Sequence, residues 1–409
     1  MERPRASGVS PFRGPARLRL PGGGGETDPR VRALHLFSNF KWTGPAEPAV
    51  ELVRRLRALG HACDLAISTF TKGGDRRPLL EEARARGVEP LLRFELSKHF
   101  APIRDLRDAR SLARFLAETS PEVLHTHLSN DHLVAVVARR FGPSKPALVR
   151  SIYDGEVGSL SLRERLCLRR TDAVIAPGRR PAEGLVAAGV PSSRVRVIEP
   201  PLDLDRFDPV RVLPDTRPDL GLEPEDFVVG IVSRVQRRRR FDLLLEAIRV
   251  GVARLPRLRL LVVGRGTRLE RVARRPARKL GLEPVAKFAG YLAGERYLAA
   301  LAAMDAFLYV VPGTDGTCRA LREAMAMGKP PVVSRRGLLG ELVDHGRTGF
   351  VVDERADAIA KAIVELASDP VMRRRMGTEA SGDARRRWHP VRQAEAVAGV
   401  YADVGRRSA

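Results

Sequence analysis

Ala306-Phe-Leu-Tyr-Val-Val311 is followed by Pro312-Gly-Thr-Asp315-Gly316-Thr317-Cys318-Arg-Ala-Leu-Arg-Glu323-Ala-Met-Ala-Met-Gly328, and this stretch decides the fold. A short apolar run closed by proline and glycine reads as a buried strand. The residues after the turn read as a helix from about Thr317 to Met327, stopped by Gly328. Strand, glycine-rich turn and helix together form one unit of a parallel α/β sheet.

The same unit repeats on both sides. Downstream lie Pro331-Val-Val333 and Phe350-Val-Val352; upstream lie Phe227-Val-Val-Gly-Ile-Val232, Leu258-Arg-Leu-Leu-Val-Val263 and Ala286-Lys-Phe288. An earlier series contains Ala33–Phe37, Ala62–Ile67, Val123–His127, Ala147–Ile152, Ala173–Ala176 and Val195–Ile198. Between its first two strands, Val50, Val53, Leu56 and Leu59 recur at helical spacing, with Pro45 expected at the first helical position and Gly60 as the stop. Proline, aspartate and glycine cluster from Glu199 to Pro224 and mark a junction. The expected fold class is therefore α/β, with two doubly wound Rossmann-like domains over 31–200 and 201–388. A tail without periodicity, 1–30, precedes them, and a helical segment, 389–409, follows and could cross back to the first domain.

The chain has 409 residues, enough for two or three domains. Lysine plus arginine is 72 against 49 acidic residues, a net charge of +23, which excludes an acidic disordered protein. No apolar run reaches the roughly 18 residues of a membrane span. The longest, Tyr297–Val311, is interrupted by Asp305. The arginine- and glycine-rich start lacks the apolar centre of a secretory signal. Cys63, Cys167 and Cys318 are far apart, which argues against a disulfide scaffold or a cysteine zinc site and for a cytoplasmic location. The positive surplus reads as solvated helix faces, or as attraction to an anionic membrane, an anionic substrate or nucleic acid. With 5% aromatic residues and no basic run interleaved with them, the sequence points away from nucleic acid.

Ligands of doubly wound sheets bind beyond the carboxyl ends of strands, so the loops there are the candidates. Ser233-Arg234 and the run Arg237–Arg240 follow one strand and precede a helix near Phe241, either as an anion site or as an exposed basic loop. Val263-Gly264-Arg265-Gly266 allows close backbone approach to a ligand, or is an ordinary turn. Asp315 and Glu323, eight apart, can share a helix face and accept from sugar hydroxyls; alternatively they are a cap-region residue and a surface acid. Trp42-Thr43-Gly44-Pro45-Ala46-Glu47 is another such loop, its tryptophan packing or stacking on a sugar. His125 and His127 share one side of a strand, but no third ligand for a metal is evident. Asp203 and Asp205 form a DxD string inside the junction.

Together these stretches resemble the family 4 retaining glycosyltransferases of GT-B architecture, over roughly residues 31–405. The likeness rests on Arg234 with Arg239 five residues on, and on the pair Asp315 and Glu323. It also rests on Glu323–Val332 beside an EAMAxGxPVV segment and Gly346–Val352 beside a GxTGxLV segment. Thr43-Gly44 corresponds to a GG loop, and Pro200–Phe207 to the PNGVDxxxF junction. The departures are Asp315 for glutamate, Arg239 for lysine, Arg240 and Thr43 for glycines, and Tyr153 for a histidine.

The resemblance implies two domains facing each other across a cleft. It implies a metal-independent, retaining transfer of sugar from a nucleotide diphosphate to an acceptor hydroxyl, without a cofactor, in envelope polysaccharide or glycolipid synthesis. Arg234 and Arg239 would hold the diphosphate with the N–H groups of Thr317 and Cys318. Glu323 would accept from the ribose. Asp315 would orient the donor sugar, with Gly264, Gly316, Thr43 and Gly44 lining the donor. Trp42, Glu47, His127, Tyr153 and Asp154 would border acceptor or sugar. Front-face transfer with the leaving phosphate as base is expected. The basic surface suggests the cytosolic face of an anionic membrane. Competing readings are a sugar-nucleotide epimerase, a phosphorylase, a catalytically silent nucleotide-sugar or membrane-surface protein, and an RNA binder.

Overall fold

A computed structural model describes residues 31–70, 77–155, 157, 160–312 and 317–408. The expected tail 1–30 lies outside them, as do Asp315 and Gly316.

The first sheet contains β1 (Arg32–Phe37), β2 (Ala62–Ile67), β3 (Val123–Thr126), β4 (Ala147–Ser151), β5 (Ala173–Ala176) and β6 (Val195–Val197). Its order is β2-β1-β3-β4-β5-β6, and every pair is parallel. The second contains β7 (Phe227–Val232), β8 (Leu258–Val263), β9 (Ala286–Gly290), β10 (Ala306–Tyr309), β11 (Pro331–Ser334) and β12 (Phe350–Val352). Its order is β12-β11-β10-β7-β8-β9, again parallel. These are the strands expected from sequence, shifted at their ends by a residue or two. Parallel strands are covered on both faces, so they read as unbroken apolar runs.

Alternation along the strands sends side chains to two layers of packing. Ala33, Phe37, Val123 and Val149 meet Val50, Val53 and Leu56 of the helix Ala46–Ala58 on one face of the first sheet. Leu34, Leu36, Leu124 and Leu148 meet Leu112, Phe115 and Val134 on the other, from the helices Pro102–Thr119 and Ser129–Phe141. Pro45 caps the first of these helices instead of opening it. The second lobe has one large core around β7, β8 and β10.

The chain crosses between lobes near Leu202 and again at Trp388, where the Leu202 N–H donates to the Trp388 carbonyl at 2.9 Å. Beyond Trp388, the helix Pro390–Ser408 places Ala394, Val397 and Tyr401 in the core of the first lobe. Among the described residues no helix is long and apolar enough to cross a membrane.

Each strand order reverses once. The reversal falls between β1 and β3 in the first sheet and between β7 and β10 in the second. Loops leaving such a pair diverge and open a crevice at the carboxyl ends. Both crevices carry residues picked out from sequence.

Candidate active site

At the β7/β10 crevice the sequence supplies cations. Arg234 follows β7 directly, is exposed, and makes no ion pair among the described residues. The next turn, Arg237–Arg239, is a single 3-10 turn that buries Arg239. Its guanidinium Nη1 donates to the Pro312 and Val311 carbonyls, which ties this loop to the one leaving β10. Arg239 Nε and Ser233 Oγ are buried without hydrogen-bond partners among the described residues. Arg240 takes the left-handed conformation at φ 53°, which glycine would adopt without strain, and pairs with Asp242 and Glu354. It therefore belongs to the loop's frame.

Gly264, which reads as either a ligand approach or an ordinary turn, makes a close internal approach: at φ +141° a Cβ there would stand 1.9 Å from the Ser233 carbonyl oxygen. A Cβ on Gly266 would stand 2.1 Å from that of Val235. Both glycines thus let the loop after β8 press against the loop that presents Arg234.

The helix expected from Thr317 begins only at Arg319 and ends at Ala326. Cys318 caps it in the left-handed conformation at φ 52°, which breaks the helical path before it. Helical spacing therefore applies from Arg319 onward and sets Arg319 and Glu323 one turn apart. Asp315 and Gly316 lie outside the described residues. Thr317 and Cys318 are buried. Glu323 is buried too, and it is held from two sides: Arg319 Nε donates to one oxygen at 2.7 Å and the Tyr297 hydroxyl to the other. Arg319 also pairs with Glu47 of the first lobe.

The β1/β3 crevice is different. His35 and His125 are register partners, and with His127 they form a buried cluster whose ligand atoms lie within 4.8 Å. The sequence left His127 and His125 without a third partner; His35, distant along the chain, supplies it. Their ring nitrogens are joined in one chain. Tyr153 OH meets His127 Nδ1 at 2.8 Å, and His127 Nε2 meets His35 Nδ1 at 3.1 Å. His35 Nε2 meets Tyr401 OH at 3.2 Å, the same hydroxyl meets His125 Nδ1 at 2.6 Å, and His125 Nε2 meets Ser151 Oγ at 2.8 Å. Every imidazole nitrogen of the cluster is used, one partner each, which is the full capacity of neutral rings. Burial holds all three rings well below the usual histidine range, His35 at about 3. A metal here would have to displace these bonds.

Nearby, Asp131 ties the two loops of this crevice together. Its carboxylate accepts from the backbone N–H of Ser38 at 2.9 Å, Leu128 at 2.9 Å and His127 at 3.2 Å. Burial raises its pKa to about 6, with Arg150 3.6 Å away as counter-charge. Trp42 packs on the first-lobe core with the Arg86 guanidinium over its ring, so it is not a free platform for a sugar. Thr43 and Gly44 form the half-buried turn before the Ala46 helix, Thr43 accepting from the Ala46 N–H. Tyr153 is buried against His127, and Asp154 is exposed beside a cavity of about 170 Å³ lined by Arg150, Arg163 and Glu164. Asp203 and Asp205 line a separate polar cavity with Glu51, Arg54, Arg55 and His389.

Known proteins match this pattern in both halves. The family described as Glycosyltransferase Family 4 matches residues 44–206, and Glycosyl transferases group 1 matches residues 214–383. GDP-mannose-dependent alpha-(1-6)-phosphatidylinositol monomannoside mannosyltransferases of Mycolicibacterium smegmatis and Mycobacterium tuberculosis are 33% and 31% identical. These matches cover 60% and 63% of this chain and 66% and 68% of theirs. The chain belongs to the group 1, family 4 glycosyltransferases. It spans about half the length of several other curated relatives it matches. The crystal structure of HepE from Anabaena in complex with UDP superposes with a TM-score of 0.76 at 20% identity. That superposition covers 91% of this chain and 100% of HepE, which establishes the two-lobed GT-B fold.

Proposed function

We propose that this glycosyltransferase moves a sugar from a nucleotide diphosphate to an acceptor hydroxyl, with retention and without a metal. The observation that carries the reading is the β7/β10 crevice, where the exposed Arg234 follows β7 and the buried Arg239 reaches the loop after β10 that leads to the helix Arg319–Ala326. The difficult step is departure of the diphosphate, and fixed guanidinium groups offset the charge that gathers on it. Arg234 and Arg239 bind the diphosphate, with the N–H groups of Thr317 and Cys318 adding to them. Glu323 accepts from the ribose hydroxyls. Its two bonds to Arg319 and Tyr297 occupy two of about four lone-pair sites, which leaves room for both. Asp315 orients the donor sugar. Glu47 and Tyr153 border the acceptor from the first lobe, with His127 behind Tyr153. The leaving phosphate takes the acceptor's proton on the same face.

The named substrates of the mycobacterial relatives make GDP-mannose the first donor to test and a glycolipid or polyol the first acceptor class. Attachment to an anionic membrane surface fits one helix. On Pro102–Thr119, Ile103, Leu106, Arg107, Arg110 and Arg114 follow one another along one solvent face. Ile103 is 71% and Leu106 40% exposed, and none of the three arginines forms an ion pair among the described residues.

The test is transfer of labelled sugar from GDP-mannose, UDP-glucose and related donors to lipid and polyol acceptors, with and without a chelator. Product of retained configuration, formed equally in chelator, is expected. Donor altered without any acceptor would replace the reading with an epimerase. Donor bound but never turned over would replace it with a silent binding protein.

A further inference from the structure

One cation stands where a helix disfavours it. Arg319 is the first residue of the helix Arg319–Ala326. The positive end of the helix dipole lies there and opposes a positive side chain. Two carboxylates compensate it, and they come from different lobes. Arg319 Nε donates to Glu323 at 2.7 Å, and Arg319 Nη1 pairs with Glu47. Glu47 lies in the first turn of the helix Ala46–Ala58, just after the loop that leaves β1. The side chains of Arg319, Glu47 and Glu323 are 27%, 18% and 5% exposed, so water screens this triad far less than a surface pair. Tyr297, from the helix Gly294–Ala302, holds the other oxygen of Glu323 and fixes it against the second lobe.

We propose that Arg319 is a positioning residue that couples the donor-site carboxylate Glu323 to Glu47, so that donor binding and the approach of the first lobe become one event. The inference rests on the proposed role of Glu323 toward the ribose. A guanidinium has five N–H donors, and the two carboxylates use two of them. Arg319 therefore keeps both carboxylates while the donor enters. When the lobes separate, Glu47 leaves, and Arg319 is left to Glu323 alone. Glu323 is then drawn into a tighter pair and offers less to the ribose. When the lobes meet, the guanidinium is shared and Glu323 is held in place for the donor. Other lobe-to-lobe bonds, such as the Arg179 and Arg180 N–H groups on Glu341, support the same approach without touching the donor site.

The experiment compares donor KM and kcat for the wild type, Glu47→Gln, Arg319→Ala, Arg319→Lys and the Glu47→Gln/Arg319→Ala double variant, each checked by thermal unfolding. Loss of a charge-assisted hydrogen bond predicts a donor KM roughly tenfold higher for Glu47→Gln and for Arg319→Ala. The double variant should be no worse than Arg319→Ala, since both changes cut one link. Arg319→Lys should recover part of the loss. Glu47→Gln alters a side chain at the start of a helix, so it reports even where Arg319→Ala folds poorly. A wild type that transfers sugar, with Glu47→Gln at the wild-type donor KM or with fully additive effects, would overturn the inference and leave the proposed function standing. A wild type that binds no nucleotide diphosphate would overturn both.

Discussion

The β1/β3 and β7/β10 crevices occupy the same place in two copies of one architecture, yet their chemistry is opposite. In the first, three histidines, two tyrosines and a serine use every imidazole nitrogen on one another. That network is buried, neutral and complete. In the second, Arg234 is exposed, and Arg239 Nε and Ser233 Oγ have no partners among the described residues. A satisfied network rigidifies a wall, whereas an unsatisfied cationic one invites a ligand. The difference gives the β7/β10 crevice an exposed cation and the β1/β3 crevice a closed network, which is why the proposed anion site is the former.

Acid should break the comparison with the largest effect. The folded pKa of His35, about 3, lies below its ordinary value of 6.5, and His125 and His127 are displaced in the same direction. Between those values the unfolded chain binds more protons than the folded one. The stability these rings allow is therefore present above pH 6.5 and lost as pH falls toward 3. Denaturant titrations from pH 7 to 4 should show falling stability, and His35→Gln should flatten the slope. A pH-independent midpoint would contradict the neutral network.

Arg239→Ala tests the opposite crevice. Removing a preorganised charge that stabilises a leaving group typically costs about 100-fold or more in rate. Transfer assays should show that loss, with stability lowered by only about 1–2 kcal/mol for the lost carbonyl bonds. Wild-type turnover in this variant would remove Arg239 from the reaction. Gly264→Ala asks whether the frame behind Arg234 matters. A left-handed backbone with a Cβ 1.9 Å from a carbonyl oxygen should destabilise the fold by more than about 2 kcal/mol in urea titration. Tyr401→Phe should cost about 1–2 kcal/mol, because His35 Nε2 and His125 Nδ1 lose their shared partner. Nucleotide affinity should not change in this variant. A change there would mean that the two crevices are not separate in function.

Much of this was legible in the chain. Parallel strands announce themselves as apolar runs, and Phe227–Val232, Leu258–Val263 and Phe350–Val352 lie where the residues alone put them. Arg234 and Arg239 stood out as cations beyond a strand end, and the structure buries Arg239 against the loop after β10 while Arg234 stays exposed. What escaped depended on distance along the chain. His35 joins His125 only through strand register, and Tyr401 reaches both from a helix far beyond the second lobe. The late start of the helix at Arg319 was hidden by Cys318, since nothing in a cysteine signals a left-handed backbone. Nothing in the chain signals the role of Arg319, because its partner Glu47 belongs to the other lobe. The close approach of Gly264 to Ser233 also escaped, because the two are distant along the chain.

The central claim is that the β7/β10 crevice holds a nucleotide diphosphate. Thermal unfolding of wild type and Arg239→Ala with UDP, GDP, ADP and their sugar conjugates, with and without magnesium, tests it most directly. A ligand at 100 times its Kd adds about 2.7 kcal/mol to the native state, enough to move Tm by several degrees. The account predicts that one nucleotide family raises the wild-type Tm regardless of magnesium and leaves Arg239→Ala unmoved. No shift with any nucleotide, or equal shifts in both proteins, would contradict it.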